Sequence, residues 1–109
     1  MLAPMPPVLH TRALSCGATL VVEEIPGVRS AGITWLVPGG VCADPAGLEG
    51  VSALWAEMLM RGSGSRTSRE DADAFDRLGA TRSVDNATHH TRFSAACLGA
   101  RVDEVLGLM

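Results

Sequence analysis

The chain has 109 residues, of which 47% are hydrophobic and 19% charged, and its formal net charge is -3. Those values fit one modest globular domain and exclude a disordered tail or a charged linker. The nine basic residues are all arginines standing singly along the chain, so no patch for nucleic acid forms. The longest apolar runs, 31–38 and 51–60, fall far short of the roughly 20 residues that cross a bilayer.

The first seven residues carry neither a charged segment nor a continuous apolar one, so no export signal is read there and a cytoplasmic location is expected. Cys16, Cys42 and Cys97 are odd in number and widely spaced. That suits reduced thiols packed as small hydrophobes and not a disulfide framework or a Cys-x-x-Cys metal site.

In chain order, Val8 to Leu14 and Thr19 to Glu24 are β-prone runs separated by Ser15-Cys16-Gly17-Ala18, which predicts a hairpin. After Ile25-Pro26-Gly27, the run Ser30 to Val37 begins with alternation and becomes continuously apolar, as a covered central strand does. The period then changes. Val51, Leu54, Trp55, Met58 and Leu59 recur at helical spacing between Glu49 and Arg61, and Gly62 is placed to end that helix.

A polar linker, Ser63 to Thr67, follows, and Ser68 with Asp71 three residues on predicts the cap of a second helix, Arg69 to Leu78. Gly79 closes it. Thr81 to Asp85 and His89 to Leu98 read as two further strands joined at Asn86-Ala87-Thr88, and a third helix begins at Arg101. Its apolar stripe of Val102, Val105, Leu106 and Met109 has no C-cap after it, so residues 1–109 are expected to be the N-terminal part of one incomplete domain, with apolar surface left exposed.

Strands followed by helices, strands and a helix make an α+β pattern. The loops carry more. Leu14-Ser15-Cys16-Gly17, the Gly-x-x-x-Asp-Pro stretch from Gly40 to Pro45, Gly50 opening a helix, and Met58-Leu59-Met60-Arg61-Gly62-Ser63 stand in register with Leu78-Gly79-Ala80 and Asn86-Ala87-Thr88. Taken together they resemble the pitrilysin/insulinase family of zinc metallopeptidases, over nearly the whole chain. That resemblance implies an antiparallel sheet with helices packed on one face, the LuxS/processing-peptidase-like metalloenzyme fold.

The family's inverted zinc motif is His-x-x-Glu-His, two histidine ligands and a glutamate base. Aligned through Gly50 and Met58-Leu59, those positions are Ala53, Ala56 and Glu57. The alanines offer no lone pair, and Glu57 offers at most one ligand where a catalytic zinc takes about three from the protein. By resemblance, the remaining ligand is a glutamate beyond Met109. At 100° per residue the apolar stripe faces one way and Ala53, Ala56, Glu57 and Met60 another, a face expected to be a partly covered or cleft-facing wall.

Bland alternatives stand beside each of these readings. Glu57 is a partly solvated carboxylate or a relic ligand; Trp35 and Trp55 are core anchors or a ligand platform. His89 and His90, adjacent in a strand, point to opposite faces and do not share a metal. Asn86-Ala87-Thr88 fits a glycosylation sequon, relevant only in a secreted protein.

The resemblance implies a non-catalytic subunit that forms a peptide-binding chamber with a catalytic pitrilysin-type homologue. In that arrangement no catalytic residue, metal or cofactor belongs to this chain, zinc is expected only in the partner, and an extended peptide passes Asn86, Ala87 and Thr88. Neither nucleic acid nor membrane is an expected partner. Two other functions fit the same residues: an active zinc metalloendopeptidase with atypical ligands, and a purely structural subunit like the core proteins of respiratory complexes.

Overall fold

A computed structural model describes residues 8–109. The absence of an export signal concerns residues 1–7, outside the described residues. β1 (Val8–Ala13) and β2 (Thr19–Glu24) pair antiparallel, with Val8 opposite Glu24 and Ala13 opposite Thr19. The turn closes through Leu14 N donating to the Ala18 carbonyl at 2.8 Å and Gly17 N to the Leu14 carbonyl at 3.0 Å. The predicted hairpin therefore forms, but as a two-stranded sheet of its own, with every residue of both strands exposed.

The second sheet holds β3 (Ser30–Pro38), β4 (Thr81–Asn86) and β5 (His90–Leu98) in the order β3-β5-β4, all antiparallel. β5 is the centre, so its alternation is the most demanding: Thr91, Ala95 and Cys97 are buried while Arg92, Ala96 and Leu98 are not. β3 is an edge strand among the described residues, which corrects its reading as a covered central one; Trp35 and Leu36 are exposed. Continuous apolarity marks burial only where something lies on both faces.

Three helices join the three-stranded sheet: α1 (Val51–Leu59), α2 (Ser68–Arg77) and α3 (Val102–Leu108), with α1 and α2 against β4, and α3 against α2 and β5. The core gathers between α2, α3 and the sheet around Phe75, Ala80, Ala95, Cys97 and Val105. Val105 is fully buried. Burying an aromatic or aliphatic side chain of this kind contributes roughly 1.5–3 kcal/mol, so these few residues carry a large share of what holds the sheet to its helices.

α2 begins one residue earlier than its spacing predicts. Thr67 is the N-cap, its hydroxyl accepting from Glu70 N at 3.3 Å, while the Glu70 carboxylate accepts from Thr67 N at 2.8 Å, a complete capping box. Ser68, predicted to cap, instead donates its hydroxyl to the Arg61 carbonyl. Asp71, predicted as its partner, is buried inside the fold at 1% exposure and pairs with Arg66 Nε at 3.0 Å and with Arg82. Arg82 also lies 4.5 Å over the Phe75 ring, so one carboxylate links the linker, α2 and β4.

Two of the three cysteines depart from their expected packing. Cys97 is buried, whereas Cys16 and Cys42 are exposed; all three are free thiols. No helix among the described residues is long and apolar enough to cross a membrane.

Candidate functional site

α1 starts where the loop after β3 turns back on itself, and one aspartate fixes that start. Gly50 occupies the N-cap position at φ 96° and has no side chain with which to cap. Asp44 takes over: its carboxylate accepts from Gly50 N at 2.7 Å and from Ser52 N at 3.0 Å. Two amides that the helix leaves unpaired are thereby satisfied. Hydrogen bonding to the Ser52 side chain, then to the Gly50 and Ser52 amides, holds the Asp44 carboxyl below the usual aspartate range.

Ser52 is also the anchor between α1 and the sheet. Asn86 Nδ2 donates to Ser52 Oγ at 2.9 Å, and Asn86 Oδ1 accepts from Thr91 Oγ1 at 2.9 Å. At the other end of the helix, Arg82 Nη2 donates to the Met60 carbonyl at 3.4 Å. With Ser52 tied to Asn86 and Met60 to Arg82, α1 runs along β4 in the opposite direction.

This orientation decides which face of α1 packs. Ala56 is buried and Ser52 and Met60 are half-buried, one turn apart on the side that meets β4. The stripe of Val51, Leu54, Trp55, Met58 and Leu59 is exposed among the described residues, and Trp55 meets the sheet edge-on to Phe93 at 6.1 Å between ring centres. The face expected to be a cleft wall is thus split, with Ala56 against the strand and Ala53 and Glu57 exposed. Neither tryptophan is a buried core anchor.

Glu57 meets Arg61 one turn on, at 3.8 Å, with both side chains mostly in solvent. It sits as a solvated carboxylate. A zinc ion does not fit this helix: Ala53 and Ala56 hold no donor atom, and Glu57 supplies too few. Among the described residues no three His, Cys, Asp or Glu side chains converge as a metal site would need.

The turn between β4 and β5 falls one residue later than predicted, at 87–89, and it is bonded to the loop before α1. Val41 N donates to the Ala87 carbonyl at 3.0 Å, Cys42 N to the Thr88 carbonyl at 2.9 Å, and Gly39 N to the His89 carbonyl at 3.1 Å. Gly40 is buried in this clasp at φ 82°, and a Cβ there would stand 2.8 Å from His90 N. The candidate substrate residues are therefore placed as follows: Asn86 is half-buried and fully used between α1 and β5, while the Ala87 and Thr88 carbonyls hold the clasp.

β4 is bonded only to β5, so its other edge is free among the described residues. His89 lies in the turn and His90 opens β5 opposite Pro38, so the two histidines do not share an environment. Sequence reasoning missed Asp44 as the cap of α1, although its place in an Asp-Pro loop just ahead of a helix was a usable signal.

No family model matches the chain. Over 94 residues it is 28% identical to the uncharacterized zinc protease YmxG of Bacillus subtilis, a match covering 85% of this chain and 23% of that protein. Its fold superposes on the crystal structure of a protease from Helicobacter pylori with a TM-score of 0.85 at 16% identity, over 94% of this chain and 25% of that one. The chain spans about a quarter of the length of either; it has the antiparallel α+β architecture of the second and is similar in sequence to the first.

Proposed function

We propose that this chain is the N-terminal part of a peptidase-like subunit without catalytic activity of its own, which holds an extended peptide for a catalytic zinc-peptidase partner. The observation that carries this reading is the donor set of α1. A chain similar to a zinc protease has Ala53, Ala56 and Glu57 at the positions where the resembling family places two histidine ligands and a glutamate base. The two alanines can neither ligate a metal nor take a proton, and Glu57 by itself offers one ligand or base where a catalytic zinc takes about three protein ligands.

The open edge of β4 supports the binding half of the proposal. An unpaired strand edge presents a row of N–H and C=O groups to which an extended peptide adds as a further strand, whatever its side chains. β4 offers such an edge beside α1, fixed in place by the Asn86–Ser52 bond and by Arg82.

Titration of the full-length protein with an unstructured peptide, and with the same peptide N-methylated at alternate residues, tests this reading. Binding with Kd about 1 μM, weakened at least tenfold by methylation, is the expected outcome, since each tenfold is about 1.4 kcal/mol of lost strand pairing. No binding of either peptide would contradict it. The internal engagement of Asn86, Ala87 and Thr88 would then favour the structural, core-protein-like role.

A further inference from the structure

Outside α1 and the edge of β4, the fold brings one nucleophile and one base together. Cys42 Sγ lies 3.2 Å from His89 Nδ1, although the two residues are 47 apart in sequence. The contact is set by the backbone on both sides. Cys42 N is bonded to the Thr88 carbonyl and Gly39 N to the His89 carbonyl, so the loop after β3 and the turn before β5 are clasped next to the pair. Both side chains are exposed, so a small reagent can reach the sulfur.

The same chain holds two comparisons. Cys16, in the β1–β2 turn, is equally exposed but has no hydrogen-bonding side chain among the described residues, and Cys97 is buried in the core. A thiol reacts as its thiolate, and an imidazole within hydrogen-bond reach can accept the proton as the sulfur attacks.

We propose that Cys42, with His89 as its proton acceptor, is a thiol-modification site that exchanges with small disulfides of the glutathione type. The Cys42 proton passes to His89 Nδ1 and the sulfur attacks one sulfur of the disulfide. A new S–S bond forms as the old one breaks, and the departing thiolate takes the proton back from His89. One disulfide is consumed, one mixed disulfide and one free thiol are produced, and no other oxidant is required. The proposal is independent of the peptide-holding role.

The test is timed exposure of the folded full-length protein to oxidised glutathione, with each cysteine followed by peptide mass spectrometry. Cys42 should acquire glutathione about tenfold or more faster than Cys16, Cys97 should stay unmodified, and a reducing thiol should reverse the adduct. His89→Gln should bring Cys42 down to the rate of Cys16, with circular dichroism unchanged. Equal rates at Cys42 and Cys16 in the unaltered protein would overturn the proposal without any variant, and so would an undiminished Cys42 rate in folded His89→Gln. In urea the two exposed cysteines should converge, and persistence of the difference there would also overturn it.

Discussion

Asp71 and Asp44 show what a single carboxylate does in this chain according to its surroundings. Asp71 is 1% exposed between Arg66 and Arg82. Removing one partner of a buried ion pair leaves the others desolvated and unpaired, so Asp71→Ala should destabilise the fold by about 3 kcal/mol, and Arg82→Ala by a similar amount through the loss of both the carboxylate and the Phe75 ring. Denaturant unfolding of the two single variants and the double variant measures this. A double variant less destabilised than the sum of the two single ones is expected, because both delete the shared Asp71–Arg82 link while each also loses a partner of its own. Strict additivity would separate the two residues.

At Asp44 the effect is one of pH. Its carboxyl is held below the ordinary value of 3.8, chiefly by hydrogen bonding to Ser52 and then to the amides at the start of α1. A group whose folded-state value is lowered adds stability that is present above the unfolded value and lost as pH falls through the folded one. The melting temperature of Asp44→Asn should therefore lie below that of the unaltered protein near pH 7 and converge with it near pH 2. A gap of the same size at both would contradict the capping role.

Among the elements, α1 and its clasp were the least legible in the sequence. Periodicity located the helix within two residues at each end, because apolar residues seldom recur at helical spacing in a strand or a loop. It did not locate the sheet. The stripe indicates where apolar side chains lie, whereas Ala56 and Ser52, being small, let the helix approach β4 and so define the packed face. In α2, Thr67 and Ser68 are both good caps in adjacent positions, and the choice falls to Thr67 because Glu70 can reach back to it.

Cys42 with His89, and Asn86 with Ser52, were out of reach for another reason. Only the pairing of β3 and β4 with β5 brings such distant positions together.

The clasp makes a prediction of its own. Gly40→Ala must place a Cβ against the β4–β5 turn from a backbone at positive φ, which should cost at least about 2 kcal/mol, measured by chemical unfolding. A neutral substitution would mean that the loop and the turn separate readily. Replacing Ala53, Ala56 and Glu57 by His, Glu and His in this chain should yield no zinc-dependent cleavage. Two restored histidines remain short of the roughly three protein ligands of a catalytic zinc, and position 56 lies against β4. Detectable cleavage by that triple variant would contradict this.

Over the whole molecule, the described residues extend 56 × 32 × 31 Å, with the β1–β2 hairpin forming a separate sheet. Val8, Leu9, Val21, Leu36, Leu54 and Met58 are all exposed, more apolar surface than an isolated small domain usually leaves uncovered. Sedimentation of residues 1–109 should accordingly show association that rises through the micromolar range, and a single monomeric species throughout would contradict that expectation. The α+β architecture was legible from the order of the elements alone; the separation of the hairpin from the main sheet was not, because strand periodicity carries no record of which strands pair.

The absence of zinc chemistry from this protease-like fold is proposed from Ala53, Ala56 and Glu57. Its most direct test is metal analysis of the full-length protein after equilibration with zinc, combined with a peptide-hydrolysis assay run alone and with a homologue bearing an intact His-x-x-Glu-His. No stoichiometric zinc and no turnover by this protein alone are expected, with cleavage only when the homologue is present. One zinc ion per chain together with hydrolysis in the absence of the homologue would contradict the proposal.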